Sequence, residues 1–236
     1  MDEDEIRKSA ALEQRHWWYA GRRALVRRLV KPLAPGRAVD VGCGSGGNTA
    51  VLRDLGWHVT GLEHSSVAAT LAASRGLPVV RGDARRLPFA DVSMDLVMST
   101  DMWEHIEEHE QVAAETARVL RPGGRALVAV PCSMKLWSGH DVALGHVRRY
   151  EREQLRELIE DAGLEVTEML SWNVLLRPIA RMRRKHNANE SEMEHVNPVV
   201  NAGLRAAVGL ERVLPVQQWP GISLVALAAK PAGLEQ

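Results

Sequence analysis

The stretch that decides the fold is Val39-Asp40-Val41-Gly42-Cys43-Gly44-Ser45-Gly46-Gly47. It continues the apolar run Ala38–Val41 and precedes the helical stretch Asn48–Leu55, after which Trp57–Leu62 has the composition of a strand. This order predicts a βαβ unit. A glycine-rich turn between a strand and a helix lets a ligand approach the backbone and offers it the amides of the helix N-terminus. The turn is therefore the first candidate for a binding site.

Helical and strand-like segments continue to alternate along the chain. Predicted helices cover 65–75, 107–120 and 151–162, predicted strands cover 77–80, 95–99, 125–130 and 164–170, and a last apolar run covers 222–229. Such alternation predicts an α/β fold, namely a Rossmann-like, doubly wound and mostly parallel sheet with helices on both faces. Residues 172–220 break the alternation, and we interpret them as a helical insertion, or lid, before the last strand.

The N-terminal segment precedes the first strand and carries apolar side chains at helical spacing. The pattern covers residues 5–31 and ends at Pro32, which predicts a leading helix with a break near Gly21. We therefore divide the chain into an N-terminal helical cap over 1–35 and a main domain over 36–236.

Composition and charge narrow the class of protein. The 236 residues are 45% hydrophobic and 25% charged, which is typical of one soluble α/β enzyme domain. Thirty basic and thirty acidic residues cancel, so no overall field attracts nucleic acid. Two cysteines, Cys43 and Cys132, are too few for a disulfide framework. The acidic start and the lack of a long apolar run predict a cytoplasmic protein without an integral membrane segment.

The glycine spacing alone leaves two cofactors open. Gly42, Gly44 and Gly47 satisfy the dinucleotide-binding pattern, and Glu63 lies 21 residues after Gly42, so an NAD(P)-dependent oxidoreductase is one alternative. Asp40 distinguishes between the two cofactors, because a carboxylate at the end of the strand repels a pyrophosphate and attracts a sulfonium or ammonium group. These residues favour S-adenosylmethionine, whose ribose hydroxyls Glu63 would bind.

Five motifs in the expected order resemble those of class I S-adenosylmethionine-dependent methyltransferases, in particular a bacterial subgroup of type 11 or 12. They are Val39–Gly46, Gly82-Asp83-Ala84 with Leu87-Pro88-Phe89, Asp95-Leu96-Val97, Glu104-His105, and Leu120-Arg121-Pro122-Gly123-Gly124. Together they cover residues 38–131. The resemblance implies S-adenosylmethionine as the cofactor and a seven-stranded sheet whose last strand is antiparallel, with 36–236 as the class I methyltransferase domain.

The resemblance also implies cofactor contacts at the matching positions. The methionine moiety would lie against Asp40, Gly42 and Gly44, with Thr100 near its amine; the ribose would lie on Glu63, and the adenine on Asp83 and Ala84. Asp83 has a simpler alternative as a turn residue, because it follows Gly82.

The leading helix is a further candidate for cofactor contacts. Tyr19 and Arg23 are four residues apart and share a helical face, so both are predicted to reach the carboxylate of the cofactor. The alternative is an amphipathic helix that docks on the sheet edge, since aromatic side chains most often serve packing.

The segment Trp137–Tyr150, beyond a carboxyl strand end, is the predicted acceptor site. His140 or His146 would take the proton of the acceptor, because the pKa of histidine lies near neutral pH. His105 is a third candidate base.

Four other residues complete the predicted substrate site: Trp137, Arg148, Arg149 and Tyr150. The two arginines would hold an anionic group of the acceptor. His140, Asp141 and His146 leave a metal site open as an alternative, although our prediction includes no metal.

The sequence thus predicts an enzyme that moves a methyl group from S-adenosylmethionine to an oxygen or nitrogen of a small molecule, such as one with an anionic group. Alternatives are the NAD(P)-dependent oxidoreductase and a methyltransferase acting on a lipid-like or macromolecular acceptor. The apolar and then basic run over 172–185 allows peripheral membrane contact. No base-flipping motif follows Ser99, so no nucleic-acid partner is predicted. The sequence leaves open whether the protein forms a homodimer.

Overall fold

One mixed sheet forms the centre of the molecule. The computed structural model describes residues 3–186 and 196–232. Its strands are β1 Arg37–Val41, β2 His58–Glu63, β3 Val79–Arg81, β4 Met94–Thr100, β5 Leu120–Pro131, β6 Glu165–Trp172 and β7 Ser223–Ala229. Their order in the sheet is β3-β2-β1-β4-β5-β7-β6. The first five strands pair in parallel, and β7 runs antiparallel to both β5 and β6. The predicted sheet, including its antiparallel last strand, is confirmed.

Helices cover both faces of this sheet. They are α1 Glu3–Leu12, α2 Trp17–Val30, α3 Gly47–Asp54, α4 Ser66–Ala73, α5 His109–Val119, α6 Gly139–Leu144, α7 Arg152–Asp161, α8 Arg177–His186 and α9 Pro198–Leu210. On one face, Val97 of the sheet packs in one core with side chains of α5 and α7. On the other, Leu96 packs with Leu25 of α2 and Leu52 of α3. Neighbouring residues of β4 thus point to opposite cores, as the pleat requires.

The N-terminal segment forms two helices, and the prediction of a break near Gly21 is wrong. The break falls between α1 and α2, where the Nδ1 atom of His16 accepts a hydrogen bond of 3.3 Å from the Trp18 amide and so caps α2. Gly21 lies inside α2, where a Cβ atom would be 3.0 Å from Trp172 and 3.1 Å from Val208. This glycine serves close packing instead of ending the helix.

The region before the last strand, which was predicted as a helical insertion over 172–220, contains α8 and α9, and residues 187–195 lie outside the described residues. Asn201 of α9 ties this region to the N-terminal helices, because its side chain accepts from the Trp17 amide at 2.8 Å and donates to the Arg15 carbonyl at 2.9 Å. Each described helix is too short or too polar to traverse a lipid bilayer.

The predicted acceptor loop contains a short helix that the sequence analysis did not include. Ser138 caps α6 through a capping box in which its amide donates to the Asp141 carboxylate at 2.9 Å. Gly145 ends the helix with a φ of +74°, a value that glycine adopts without strain. This helix fixes the positions of the two histidines, His140 and His146, on either side of Asp141.

Candidate active site

A cavity of 890 Å³ lies where the parallel strands end. Its walls include the loops after β1, β2, β3 and β4 and residues of α1, α2, α8 and α9. Ligands of open α/β sheets bind at this edge. Small-molecule sites have volumes of about 300–1,000 Å³, so the cavity can hold a cofactor together with an acceptor.

The glycine loop and Glu63 form one end of the cavity. Gly42 has a φ of +74°, and its Cα lies so close to Met102 that a Cβ atom would be 2.5 Å from that side chain. The two oxygens of Glu63 accept hydrogen bonds of 2.8 Å from the amides of Gly44 and Ser65. Glu63 is therefore held at the end of β2 with its carboxylate on the cavity wall.

Asp40 lies beneath the glycine loop and is 1% exposed. One carboxylate oxygen accepts a hydrogen bond of 2.6 Å from the Thr49 hydroxyl, and the other has no hydrogen-bond partner among the described residues. Burial raises the pKa of Asp40 to about 7. Asp40 is not part of the cavity wall. Its predicted role toward the methionine moiety remains a prediction and, without direct contact, would act through its charge.

Glu13, which was not predicted as a site residue, contacts the end of the glycine loop. Its Oε1 atom accepts from the Gly47 amide at 3.1 Å, and its carboxylate also pairs with Arg75. This carboxylate occupies the N-terminus of α3, where dinucleotide-binding folds hold a pyrophosphate. Glu13 is 34 residues from Gly47 in the chain, so no local pattern marks the contact.

Three other predicted cofactor residues lie on the cavity wall: Asp83, Ala84 and Thr100. The Asp83 carboxylate binds the Arg85 guanidinium at 2.7 Å, and this hydrogen bonding holds its pKa below the usual range. The Thr100 hydroxyl accepts from the Asn48 side chain at 3.0 Å. All three line the cavity, and Asp83 and Thr100 are already held by hydrogen bonds to neighbouring side chains.

Tyr19 and Arg23 of α2 also line the cavity. The Arg23 guanidinium donates to the Glu13 carbonyl at 2.8 Å, which ties α2 to the end of α1. Burial raises the pKa of Tyr19 to about 12, so its hydroxyl keeps its proton near neutral pH.

Arg22 is a further cavity residue that the sequence analysis missed. Its guanidinium donates to both oxygens of Asp101 at 2.8 Å and lies 4.3 Å from the ring centroid of Trp172. The Arg22 side chain is only 2% exposed, so its aromatic contact is shielded from water, whereas Asp101 is 33% exposed and the ion pair is partly solvated.

The other end of the cavity holds the three histidines that were predicted as bases. His105, His140 and His146 all line it, together with Glu104. Glu104 is fully buried, and neither of its carboxylate oxygens has a hydrogen-bond partner among the described residues. Burial raises its pKa well above the usual range. The His146 Nε2 atom lies 3.8 Å from Glu104 Oε1.

The histidine rings are oriented by neighbouring oxygens. The Nδ1 atom of His146 lies 2.9 Å from an Asp141 oxygen, and that of His105 lies 3.2 Å from the Gly145 carbonyl. The two rings meet edge to face with centroids 4.8 Å apart. Burial lowers the pKa of His105 to about 4.

Comparison with known proteins identifies the family. Residues 39–128 match the family described as "Methyltransferase domain". A protein of Mycolicibacterium smegmatis, named "Probable S-adenosylmethionine-dependent methyltransferase", is 31% identical over 163 residues, which are 67% of this chain and 63% of that protein. Residues 39–128 therefore form a methyltransferase domain of the class I, S-adenosylmethionine-dependent kind. The matched part spans 44% to 63% of the length of the first curated relatives.

Solved structures agree with the methyltransferase fold. A chain of the complex between the Haloferax volcanii Trm112 methyltransferase activator and a methyltransferase matches with a TM-score of 0.66 at 25% identity, over 97% of this chain and 95% of that chain. Phosphoethanolamine N-methyltransferase 2 of Haemonchus contortus, in complex with S-adenosyl-L-methionine, matches with a TM-score of 0.63 at 19% identity, over 89% and 52%. Family membership favours S-adenosylmethionine over the nicotinamide cofactor that the glycine spacing left open.

The predicted substrate residues are less accessible to a ligand in the cavity than the sequence suggested. Arg149 lines the cavity, but its guanidinium binds Asp141 at 2.7 Å and the Cys132 carbonyl at 3.2 Å. Arg148 donates to the Glu107 carbonyl at 3.0 Å and is not part of the cavity wall.

Trp137 and Tyr150 are likewise absent from the cavity wall. Tyr150 is buried, and its hydroxyl lies 2.9 Å from a ring nitrogen of His109. Trp137 is half-buried and also lies outside the cavity wall, so the predicted contacts of both aromatic side chains with a substrate have no support from this geometry. The alternative metal site formed by His140, Asp141 and His146 also loses support, because the Asp141 carboxylate is bound to Arg149 and to His146.

Proposed function

We propose that the protein transfers a methyl group from S-adenosylmethionine to an oxygen or nitrogen atom of a small molecule with an apolar body. The observation that carries the proposal is the single cavity that joins the glycine loop and Glu63 to the histidines His105, His140 and His146. A cofactor and an acceptor can therefore lie next to each other in this cavity.

The cofactor would bind at the glycine-loop end. Glu63 accepts two backbone amides already, and a carboxylate has room for about four hydrogen bonds, so it can also bind the ribose hydroxyls. Asp83 and Ala84 would contact the adenine. Tyr19 and Arg23 would reach the carboxylate of the methionine moiety. The buried charge of Asp40 would favour the sulfonium.

The reaction is an in-line displacement. The acceptor atom attacks the methyl carbon, the carbon–sulfur bond breaks with its electron pair going to sulfur, and the sulfonium becomes a neutral thioether. The acceptor loses its proton to a histidine of the cavity. We place His140 in this role, since it lies on α6 and lines the cavity. A well-placed base contributes about 100-fold to 10,000-fold.

Apolar side chains around α8 and α9 support an acceptor with an apolar body. The cavity wall there includes Leu176, Ile179, Ala180, Val196, Val200 and Leu204. The predicted grip of Arg148 and Arg149 on an anionic group has weaker support, since both guanidinium groups are bound to other parts of the protein.

The exterior of α8 supports a lipid-like acceptor as a second candidate. Met182 is 61% exposed and Arg181 is exposed beside it, whereas Ile179 and Arg183 of the same helix line the cavity. An amphipathic helix with exposed apolar and basic side chains is suited to an anionic membrane surface. Peripheral contact through 172–185 would place the mouth of the cavity close to an amphiphilic acceptor.

The test is to incubate the full chain with methyl-labelled S-adenosylmethionine and separate aqueous and lipid fractions of a bacterial extract. Mass spectrometry of the labelled product then identifies the acceptor atom. We expect one labelled small molecule, whose formation requires Glu63 and falls strongly in His140→Ala. Calorimetric titration should show binding of S-adenosylhomocysteine and none of NADH. Binding of NADH alone, or label confined to protein or nucleic acid, would contradict the proposal.

A further inference from the structure

Three side chains at the acceptor end of the cavity are arranged as a set of metal ligands. Glu104, His105 and His146 each offer one ligand atom, and these three atoms all lie within 4.8 Å of one another. Two histidines and one carboxylate form a common ligand set for divalent transition metals, with coordination positions left open for a substrate.

The spacing of the closest pair is near that of a formed site. The His146 Nε2 atom and the Glu104 Oε1 atom are 3.8 Å apart. Two ligands of one zinc ion, each about 2.1 Å from the metal in a tetrahedral arrangement, are about 3.4 Å apart. A small side-chain movement therefore brings both atoms onto one ion.

The surroundings of the histidines match those of metal-bound histidines. Such a ring usually directs one nitrogen to a carboxylate or carbonyl oxygen and the other to the metal. His146 lies with Nδ1 at 2.9 Å from Asp141, which is itself held by Arg149 at 2.7 Å. His105 lies with Nδ1 at 3.2 Å from the Gly145 carbonyl.

Glu104 supplies an independent observation. It is 0% exposed and lines the cavity, yet neither carboxylate oxygen has a hydrogen-bond partner among the described residues. Burying a carboxylate without a partner is costly, so buried carboxylates are usually paired or bind a metal. Arg22 and Arg149 both favour a charged Glu104, but their own ion pairs are with Asp101 and Asp141. The ion-pair contact of Glu104 itself is the one with His146 at 3.8 Å.

We propose that Glu104, His105 and His146 bind one divalent transition-metal ion, such as Zn²⁺, at the acceptor end of the cavity. Binding itself does not depend on the identity of the acceptor. The chemical role rests on the proposed function: a metal here would supply Lewis-acid polarisation of the acceptor oxygen or nitrogen, beside His140 as the base.

The experiment is a metal titration of the purified full chain after treatment with a chelator. Zn²⁺ binding is measured by calorimetry, and Co²⁺ binding by the visible absorption of the bound ion. We expect one ion per chain, with affinity reduced at least about tenfold in Glu104→Gln and in His146→Gln. His58→Gln is the matched control, because His58 is an exposed histidine at the start of β2 and should leave the affinity unchanged.

Binding of S-adenosylhomocysteine to each variant separates the two proposals. Unchanged affinity in Glu104→Gln and His146→Gln shows that the fold and the cofactor end are intact, so that lost metal binding reports on the ligands. Wild-type protein that binds neither Zn²⁺ nor Co²⁺, or variants that bind both ions as tightly as wild type, would overturn the metal site. Failure of wild type to bind S-adenosylhomocysteine would instead count against the proposed function.

Discussion

The two ends of the cavity are built differently. At the cofactor end, the side chains of Glu63, Asp83 and Thr100 already hold hydrogen bonds to nearby backbone or side-chain groups. At the acceptor end, Glu104 is buried with both oxygens unmatched among the described residues, beside two oriented histidines. The side chains proposed to bind the cofactor are thus fixed by protein neighbours before a ligand binds, whereas the proposed metal ligand Glu104 is not.

The largest expected effect of a substitution concerns the contact that ties α2 to the acceptor end. Arg22→Ala removes the ion pair with Asp101 and the contact with the Trp172 ring. Because Asp101 is 33% exposed, we expect a loss of about 3 kcal/mol, at the low end for a buried pair. The measurement is the free energy of unfolding in urea.

The matched control for this substitution is Arg53→Ala, since Arg53 forms an exposed pair with Asp54. That change should cost less than about 1 kcal/mol. Equal losses in the two variants would show that the acceptor end does not depend on the buried arginine.

The next effect tests the cofactor end. Glu63→Ala removes the carboxylate that holds Gly44 and Ser65 and is proposed to bind the ribose. Hydrogen bonds to a charged group are worth about 2 kcal/mol, so the Kd for S-adenosylhomocysteine should rise about 30-fold. Calorimetry measures this, with Glu165→Ala on the exposed start of β6 as the control. A Kd within threefold of wild type would contradict the assignment of Glu63.

The third effect is spread over about three pH units and concerns Asp40. Burial raises the pKa of Asp40 to about 7 in the fold, whereas an unfolded aspartate has a pKa of about 3.9. Between about pH 4 and pH 7 the folded chain therefore holds one proton more than the unfolded chain. The free energy of unfolding falls as the pH rises through this window, by at most about 1.4 kcal/mol per pH unit.

Asp40→Asn removes this contribution while keeping the shape of the side chain next to Thr49. Urea unfolding at several pH values should show a shallower fall for the variant than for wild type between about pH 4 and pH 7. Parallel curves for the two proteins would mean that Asp40 is charged in the fold throughout this range.

The smallest effect concerns two glycines in helices. A Cβ atom at Gly21 would lie 3.0 Å from Trp172 and 3.1 Å from Val208, whereas nothing lies within 4 Å of one at Gly203 in α9. Overpacking outweighs the gain in helix propensity at the first position, so Gly21→Ala should destabilise by about 1 kcal/mol. Gly203→Ala should stabilise by about 0.5–1 kcal/mol. Thermal unfolding of both variants checks the opposite signs.

The fold was predictable because its signals are local. The glycine loop after Val41, and apolar runs of strand length between helical patterns, are visible within short windows. The break between the first two helices was not predictable, because the residue that caps α2, His16, is not one of the usual N-cap residues. The short helix α6 did have a local signal, since Ser138 and Asp141 have the spacing of a capping box.

The site was predictable to the extent that its contacts are short in sequence. Asp83 and Arg85 are two residues apart, and Glu63 and Gly44 are 19 apart within one βαβ unit. Arg22 and Asp101 are 79 residues apart, so no window of sequence contains both. The same holds for the burial of Glu104, which depends on how distant segments close over it.

The contact of Glu13 with the Gly47 amide has a consequence for the timing of turnover. Residues of α1, including Ile6, Ser9 and Ala10, form a wall of the cavity, and Glu13 fastens that wall to α3. If the demethylated cofactor leaves on this side, the contact between Glu13 and Gly47 breaks and α1 moves aside. Product release by this path then requires a movement of the N-terminal segment, and its rate is independent of the rate of methyl transfer.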